Sequence, residues 1–436
     1  MPLSAAAALD QHLRDATIDP YRQVPRAVFL AATSDDPALY RGHAGWARLP
    51  AHEVSPEELA KAKEGTPIEE DSRFELFSCT KLCGSIAALQ LVEQGRVDLH
   101  GEARQYVPEI GDLKVLKGFG EDGEPELEEQ ERPVTVQQLL THTSGFIYST
   151  WHEYGPQLEK HLGHAVAPYG KDATRDCLYR VPLFHQPGSS FHYGTSIDWL
   201  TRIVEEVSGL DLATYFQKHI FDPLDIHDLS FFDDDAQIDL ADAPTSSSST
   251  GPAVPTDSPA PTVPYTFRRP TPYSATLRYG GSGLKGSAPS YLRILRALLH
   301  GGALDDSAST STSSRILKPE TVDLMFTPQL TAAQRETYQR DQWAGGEPFS
   351  RRAGKALEDA DWGLGGALTG TGLASGRSAR SLHWSGMANT FWVIDREKDV
   401  AFVFFSNLLP YGNQAIFDLW EKLETDLYQG LADVQT

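Results

Sequence analysis

Apolar residues recur three and four positions apart through the middle of this chain, and fall in short continuous runs towards both ends. The first pattern predicts helices with one buried face, and the second predicts strands buried in a sheet. Ala5 to Asp15 reads as a helix. Ala27 to Ala32, bounded by Pro25 and by Ser34-Asp35-Asp36-Pro37, and Leu39 to Gly45 read as two strands around a turn. At the other end, Thr390 to Ile394 and Val400 to Ser406 flank Asp395-Arg396-Glu397-Lys398-Asp399 as a β-hairpin, and Ala415 to Gln429 closes as a helix. Between them, helices are expected after Phe77, with Ile86, Leu89 and Val92 on one face, and over Val134 to Leu140 with Thr135 as cap. Three more are expected over Ser196 to Ser208, Leu212 to Ile220 and Pro289 to Leu299. Ser55 to Glu64 is a polar helix or loop, Tyr106 to Ile110 a tight connection, and the acidic run Glu121 to Arg132 a solvated loop.

This distribution predicts an α+β fold: an antiparallel sheet assembled from both chain ends, with a mainly helical region inserted between them. The expected division is residues 1–75 with 275–436 for the sheet-bearing part and 76–274 for the helical part. Residues 241–264 are rich in Ser, Thr and Pro with little to bury, and read as a loosely held insertion, as does the smaller stretch 307–314.

The chain has 436 residues and a formal net charge of −22, which disfavours nucleic acid and anionic membrane surfaces as partners. Three cysteines, Cys79, Cys83 and Cys177, are too few for a disulfide framework and suggest reduced thiols in a cytoplasmic setting. Cys79 and Cys83 share a helix face without a second ligand pair, so they read as buried fillers and no metal is expected. The N-terminus has neither the basic start nor the long apolar core of a signal peptide, and no run has the length of a membrane span.

The stretch that carries chemistry is Phe77-Ser78-Cys79-Thr80-Lys81. Ser78 and Lys81 lie three apart, so a helical turn brings their heads together. A serine hydroxyl attacks a carbonyl only when its proton is removed, and a lysine buried at a helix N-terminus can accept that proton, because burial and the helix dipole both favour the neutral amine. The same turn offers backbone N–H groups to an oxyanion. Acyl transfer through a serine ester is the chemistry this arrangement suits. No G-x-S-x-G, H-E-x-x-H, zinc-ligand pairs or phosphate loop occurs in the sequence, and the chemistry requires no cofactor.

Three further stretches follow in order: Leu139-Leu140-Thr141-His142-Thr143-Ser144-Gly145, Phe191-His192-Tyr193-Gly194-Thr195 and His383-Trp384-Ser385-Gly386-Met387. With Ser78-x-x-Lys81 they make the chain resemble the serine β-lactamase and penicillin-binding-protein superfamily over roughly residues 20 to 430. The likeness is nearest to its esterase and transesterase branch, which includes the fungal lovastatin-type acyltransferases. The resemblance implies Ser78 as nucleophile, with Lys81 and Tyr193 sharing its proton. It makes the backbone N–H of Met387, beside Trp384-Ser385-Gly386, the second oxyanion donor next to that of Ser78. It gives the block containing His142 a structural role and makes Gly280 to Gly283 the turn before a core helix. Two departures stand out. Thr195 replaces the usual asparagine, and Trp384 replaces the lysine of K-T-G that holds a substrate carboxylate. Both weigh against β-lactam and peptide substrates. Phe77, Tyr148, Trp151, Phe191 and Trp384 suggest an apolar acyl group or a polycyclic alcohol instead. The expected partners are a small-molecule acyl donor, such as an acyl thioester or a carrier-bound acyl chain, and an alcohol acceptor; hydrolysis by the same fold is the alternative.

Overall fold

The computed structural model describes residues 3–50, 53–61, 65–164, 174, 176–232, 238–242, 265–268, 278–304, 315–340 and 359–435. Its main sheet runs, in spatial order, Asp361–Trp362, Ala367–Leu368, Leu382–Gly386, Thr390–Asp395, Val400–Phe405, Arg26–Ala32, Tyr40–Arg48 and Thr66–Pro67. Every neighbouring pair is antiparallel. The N-terminal strand Arg26–Ala32 thus lies between the C-terminal Val400–Phe405, with Leu30 opposite Val403, and its own hairpin partner. This is the closure of the two chain ends that the apolar runs predict.

Those runs are continuous because both faces of the sheet are covered. Phe29, Ala31, Phe391, Val393, Phe402 and Phe404 face one core, built with Leu9 and Leu13 of the helix Ala6–Ala16 and with Trp420 and Leu423 of the helix Gln414–Gln435. Val28, Leu30, Trp392, Val403 and Phe405 face a larger core that contains the helices Thr80–Glu93, Ser196–Ser208 and Ala288–Leu299. In Thr80–Glu93 the first twelve residues are all buried, so the helix has no solvated face there, and the polar heads of Lys81 and Gln90 are bonded inside the protein. Cys79 and Cys83 are fully buried fillers against it.

Several local expectations change. The acidic run is a loop only in part: within it Pro125–Glu128 pairs with Val115–Phe119, and a two-stranded ribbon with solvated side chains tolerates the carboxylates. Pro108 is followed by a short helix, Glu109–Asp112. The predicted helix 212–220 splits into an α-helical Leu212–Phe216 and a π-helical Gln217–Phe221. Ala241 and Asp242, placed at the start of the insertion, sit in the strand Leu240–Asp242, which pairs with Leu408–Leu409 and Thr266–Arg268. The remainder of that insertion, 243–264, and the stretch 307–314 lie outside the described residues. No helix among the described residues is long and apolar enough to cross a membrane.

The helix Val136–Leu140 starts with a reciprocal cap: Gln138 N donates to Thr135 Oγ1 at 3.2 Å, and Thr135 N donates to Gln138 Oε1 at 3.0 Å. This cap holds the turn that leads to His142. Thr135→Ala is expected to cost about 1 kcal/mol, read as a lower midpoint in chemical denaturation, with little change in activity.

Candidate active site

The turn bearing Ser78 is a single 3₁₀ turn, Phe77–Cys79, running directly into the helix Thr80–Glu93. Phe77 enters it at φ +43°, a left-handed conformation that a phenylalanine adopts only when its surroundings impose it. The imposing bonds are visible. Leu76 N donates to Leu284 O at 3.0 Å, Leu284 N donates to Thr80 Oγ1 at 3.1 Å, and Tyr291 OH donates to Cys79 O at 2.8 Å. Just upstream, Glu75 forms a buried ion pair with Lys285 at 3.3 Å, across the short ladder joining Phe74–Glu75 to Lys285–Gly286. Ser78 therefore sits on a turn anchored on both sides.

Lys81 is buried and its Nζ reaches three oxygens: Ser78 Oγ at 3.3 Å, Tyr148 OH at 3.0 Å and Gly281 O at 2.7 Å. Burial lowers its pKa to about 8, against the opposing pull of the Asp198 carboxylate. Asp198 is itself buried, and burial raises its pKa to about 6 while Lys81 and the Gly281 N–H draw it back down. Its Oδ1 accepts from Gly281 N at 2.9 Å, so the main chain of one residue touches the acid through its N–H and the amine through its carbonyl. Gly281 must be glycine for this: a Cβ there would lie 2.6 Å from the Asp198 carboxylate oxygens. A buried acid and amine that feel each other's charge in this way titrate together.

Tyr193 lies beside the same ammonium, its ring centre 4.8 Å from Lys81 Nζ. Its phenol oxygen accepts from Trp384 Nε1 at 3.0 Å. Trp151 stacks on the Tyr193 ring at 5.6 Å, Trp384 lies at 4.9 Å, and Tyr148 at 5.7 Å, so the site is walled by aromatic rings. Phe191 packs one layer behind, against Trp362 and Tyr338. His142 is fully buried 4.5 Å from the Tyr193 ring and accepts at Nδ1 from Gly194 N at 3.4 Å. Burial keeps it well below an ordinary histidine pKa, so it is a neutral packing group under Tyr193. Its expected buried, hydrogen-bonded place is the one it occupies.

The strand Leu382–Gly386 carries Trp384 and Ser385 and abuts the Ser78 turn. A Cβ on Gly386 would meet Leu76 O at 2.4 Å and Thr390 Oγ1 at 2.3 Å, so only glycine allows the strand this near. Met387 follows at the rim with its side chain 44% exposed. The Ser385 hydroxyl pairs with Tyr411 OH at 2.9 Å. Gly386→Ala is expected to push the strand off the Ser78 turn and slow acylation at least about tenfold, because a misplacement of about 1 Å beside reacting groups is costly. Single-turnover kinetics together with a thermal melt would separate that effect from simple unfolding.

Reading the sequence left out two residues of this cluster. Tyr148 enters there only as a wall aromatic, yet it is a direct partner of Lys81. Asp198 has a legible signal: it is a lone carboxylate between Ile197 and the buried Trp199 and Leu200, where an exposed acid has no place.

The chain matches the Beta-lactamase family from residue 14 to residue 426. It belongs to that family. Its relatives include a lovastatin esterase from Penicillium rubens, 31% identical over 84% of this chain and 87% of that protein. Another is a monacolin J acid methylbutanoyltransferase from Aspergillus terreus, 30% identical over 93% of this chain and 92% of that protein. A solved structure of a simvastatin synthase mutant, also from Aspergillus terreus, superposes with a TM-score of 0.81 at 26% identity, covering 98% of this chain and 96% of that one. The α+β transpeptidase-like fold and the standing of this Beta-lactamase family member as an acyltransferase or esterase follow from these likenesses.

Proposed function

We propose that this protein is a serine acyltransferase that takes an apolar acyl group from an ester or thioester and passes it to the hydroxyl of a bulky, largely apolar alcohol. The observation that carries this reading is the convergence of the buried Lys81 amine on Ser78 Oγ inside an aromatic wall. Neutral Lys81 takes the Ser78 proton as Oγ attacks the donor carbonyl carbon. Negative charge moves to the carbonyl oxygen, which the N–H groups of Ser78 and Met387 stabilise. Collapse expels the donor's alcohol or thiol, which leaves with the proton held by the Lys81 and tyrosine cluster. An acceptor hydroxyl then repeats these steps in reverse, giving its proton to Lys81 and freeing Ser78. Trp384, Trp151 and Tyr148 favour an apolar ring system over water as the acceptor.

The hydrolytic reading is favoured by one finding, the 31% identity to a lovastatin esterase. The two are separated by mixing the protein with a short branched acyl thioester, with and without a polycyclic alcohol, and following intact mass and products. Transfer predicts a stable acyl adduct on Ser78 that the alcohol discharges to ester. An adduct that decays to free acid at the same rate with or without alcohol would establish an esterase, and no adduct at all would remove the serine mechanism.

Asp198 acts in this reading as a positioning residue, holding the Gly281 turn and supporting the charged form of Lys81. The acylation rate should rise with pH as Lys81 loses its proton, with a midpoint about 8. Asp198→Asn removes the charge that favours the ammonium, so that midpoint should move to lower pH. An unmoved midpoint in a folded variant would show that the limb does not report Lys81.

A further inference from the structure

The helix Val136–Leu140 runs through Thr141 into His142, which stands at φ +54°. Thr143 N then donates back to Gln138 O at 3.0 Å, the bond that closes a helix end whose left-handed position usually holds glycine or asparagine. The turn asks only for a left-handed residue, which glycine supplies without strain. A histidine is strained there, because its Cβ crowds the following carbonyl oxygen. Strain held beside an active site points to a use for the side chain that bears it.

That use is visible on the segment carrying Tyr193. His142 O accepts from His192 N at 2.9 Å, and His142 Nδ1 accepts from Gly194 N at 3.4 Å, the longer of the two bonds. One residue thus grips the main chain on both sides of Tyr193. Acceptance at Nδ1 puts the proton of the neutral ring on Nε2. Nε2 is buried without a hydrogen-bond partner among the described residues, and the imidazole stands at 88° to the Trp362 ring, centres 5.2 Å apart. An aromatic ring accepts such an N–H only weakly, so Nε2 gives the imidazole little reason to be there. The productive contact is at Nδ1, and protonation would destroy it by setting a second N–H against that of Gly194.

We propose that His142 is a positioning residue for Tyr193: its carbonyl and its unprotonated Nδ1 fix the main chain at residues 192 and 194, and so hold the phenol beside Lys81. This deepens the acyl-transfer reading and rests on the proton-carrying role of Tyr193 in it. His142 itself touches neither the reacting serine nor the lysine through a hydrogen bond among the described residues. It acts through the placement of the tyrosine ring 4.5 Å away. The bond from Trp384 Nε1 to the phenol oxygen survives its loss, so the effect should be smaller than that of removing the phenol.

The test compares His142→Asn with His142→Gly in single-turnover acylation, with a thermal melt of each. Both substitutions suit a left-handed φ and both leave room where the ring stood, but only the first keeps an acceptor, Oδ1, in the place of Nδ1. His142→Asn should stay within about threefold of the parent, while His142→Gly should slow the acylation step about tenfold at saturating donor without changing half-saturation. On a Tyr193→Phe background His142→Gly should cost less than about twofold, because no phenol remains to be misplaced. NMR of the parent with labelled histidine, which needs no variant to fold, should show His142 as the Nε2–H tautomer at neutral pH. An Nδ1–H ring, equal slowing by both substitutions, a folded His142→Gly protein that acylates at the parental rate, or the same cost with and without the Tyr193 hydroxyl would each overturn the proposal. Parental acylation by Tyr193→Phe with His142 intact would instead strike the role of Tyr193 itself, and this inference with it.

Discussion

Ser78→Ala is expected to give a folded protein that takes no label from a fluorophosphonate and turns over an activated ester more slowly by on the order of 10³-fold or more. The magnitude follows from what is lost. On the proposed mechanism, without the hydroxyl there is no covalent intermediate, and what would remain is binding, the proposed oxyanion donors and an amine with nothing to deprotonate. Folding should survive, because the turn is held by backbone bonds from Leu76, Cys79 and Leu284 rather than by the serine side chain. Lys81 keeps Tyr148 OH and Gly281 O as partners. Intact mass after mixing with an acyl thioester reads the result directly: the parent gains one acyl group and the variant none. An adduct on the folded variant would place the nucleophile elsewhere.

Much of this arrangement is legible in the sequence because it depends on short-range spacing. Ser78 and Lys81 meet through one helical turn, and the apolar runs at the chain ends announce a sheet covered on both faces. What escapes is whatever depends on long-range convergence. Tyr148 reaches Lys81 across a separation of 67 residues, and Asp198 reaches it through the main chain of Gly281. Neither carries a local pattern tying it to the lysine. The acidic strand Pro125–Glu128 escapes for another reason: at the solvated edge of a two-stranded ribbon, its composition tells nothing of its conformation.

Lys81 and its two phenols give the second large effect. Lys81→Ala is expected to slow acylation by roughly 10²–10⁴-fold or more, the scale of general acid–base assistance, and to abolish the pH limb centred about 8. Removing the ammonium relieves one desolvated charge but leaves the buried Asp198 carboxylate without it, so a thermal melt accompanies the kinetics. Tyr193→Phe keeps the ring that packs on Trp151 and Trp384 but removes the oxygen that accepts from Trp384 Nε1, and should also cost roughly 10²–10⁴-fold. Tyr148→Phe removes one of the three oxygens around Lys81 Nζ, and should cost less, about tenfold, because Ser78 and the Gly281 carbonyl still orient the amine. Groups that pass one proton act as a unit, so Lys81→Ala with Tyr193→Phe should be little worse than the poorer single variant. The measurement is single-turnover acylation across pH for the three singles and that double. If Tyr148→Phe proves the costlier phenol and Tyr193→Phe acylates at the parental rate, the proton passes through Tyr148. Tyr193 would then be a wall of the site that anchors Trp384.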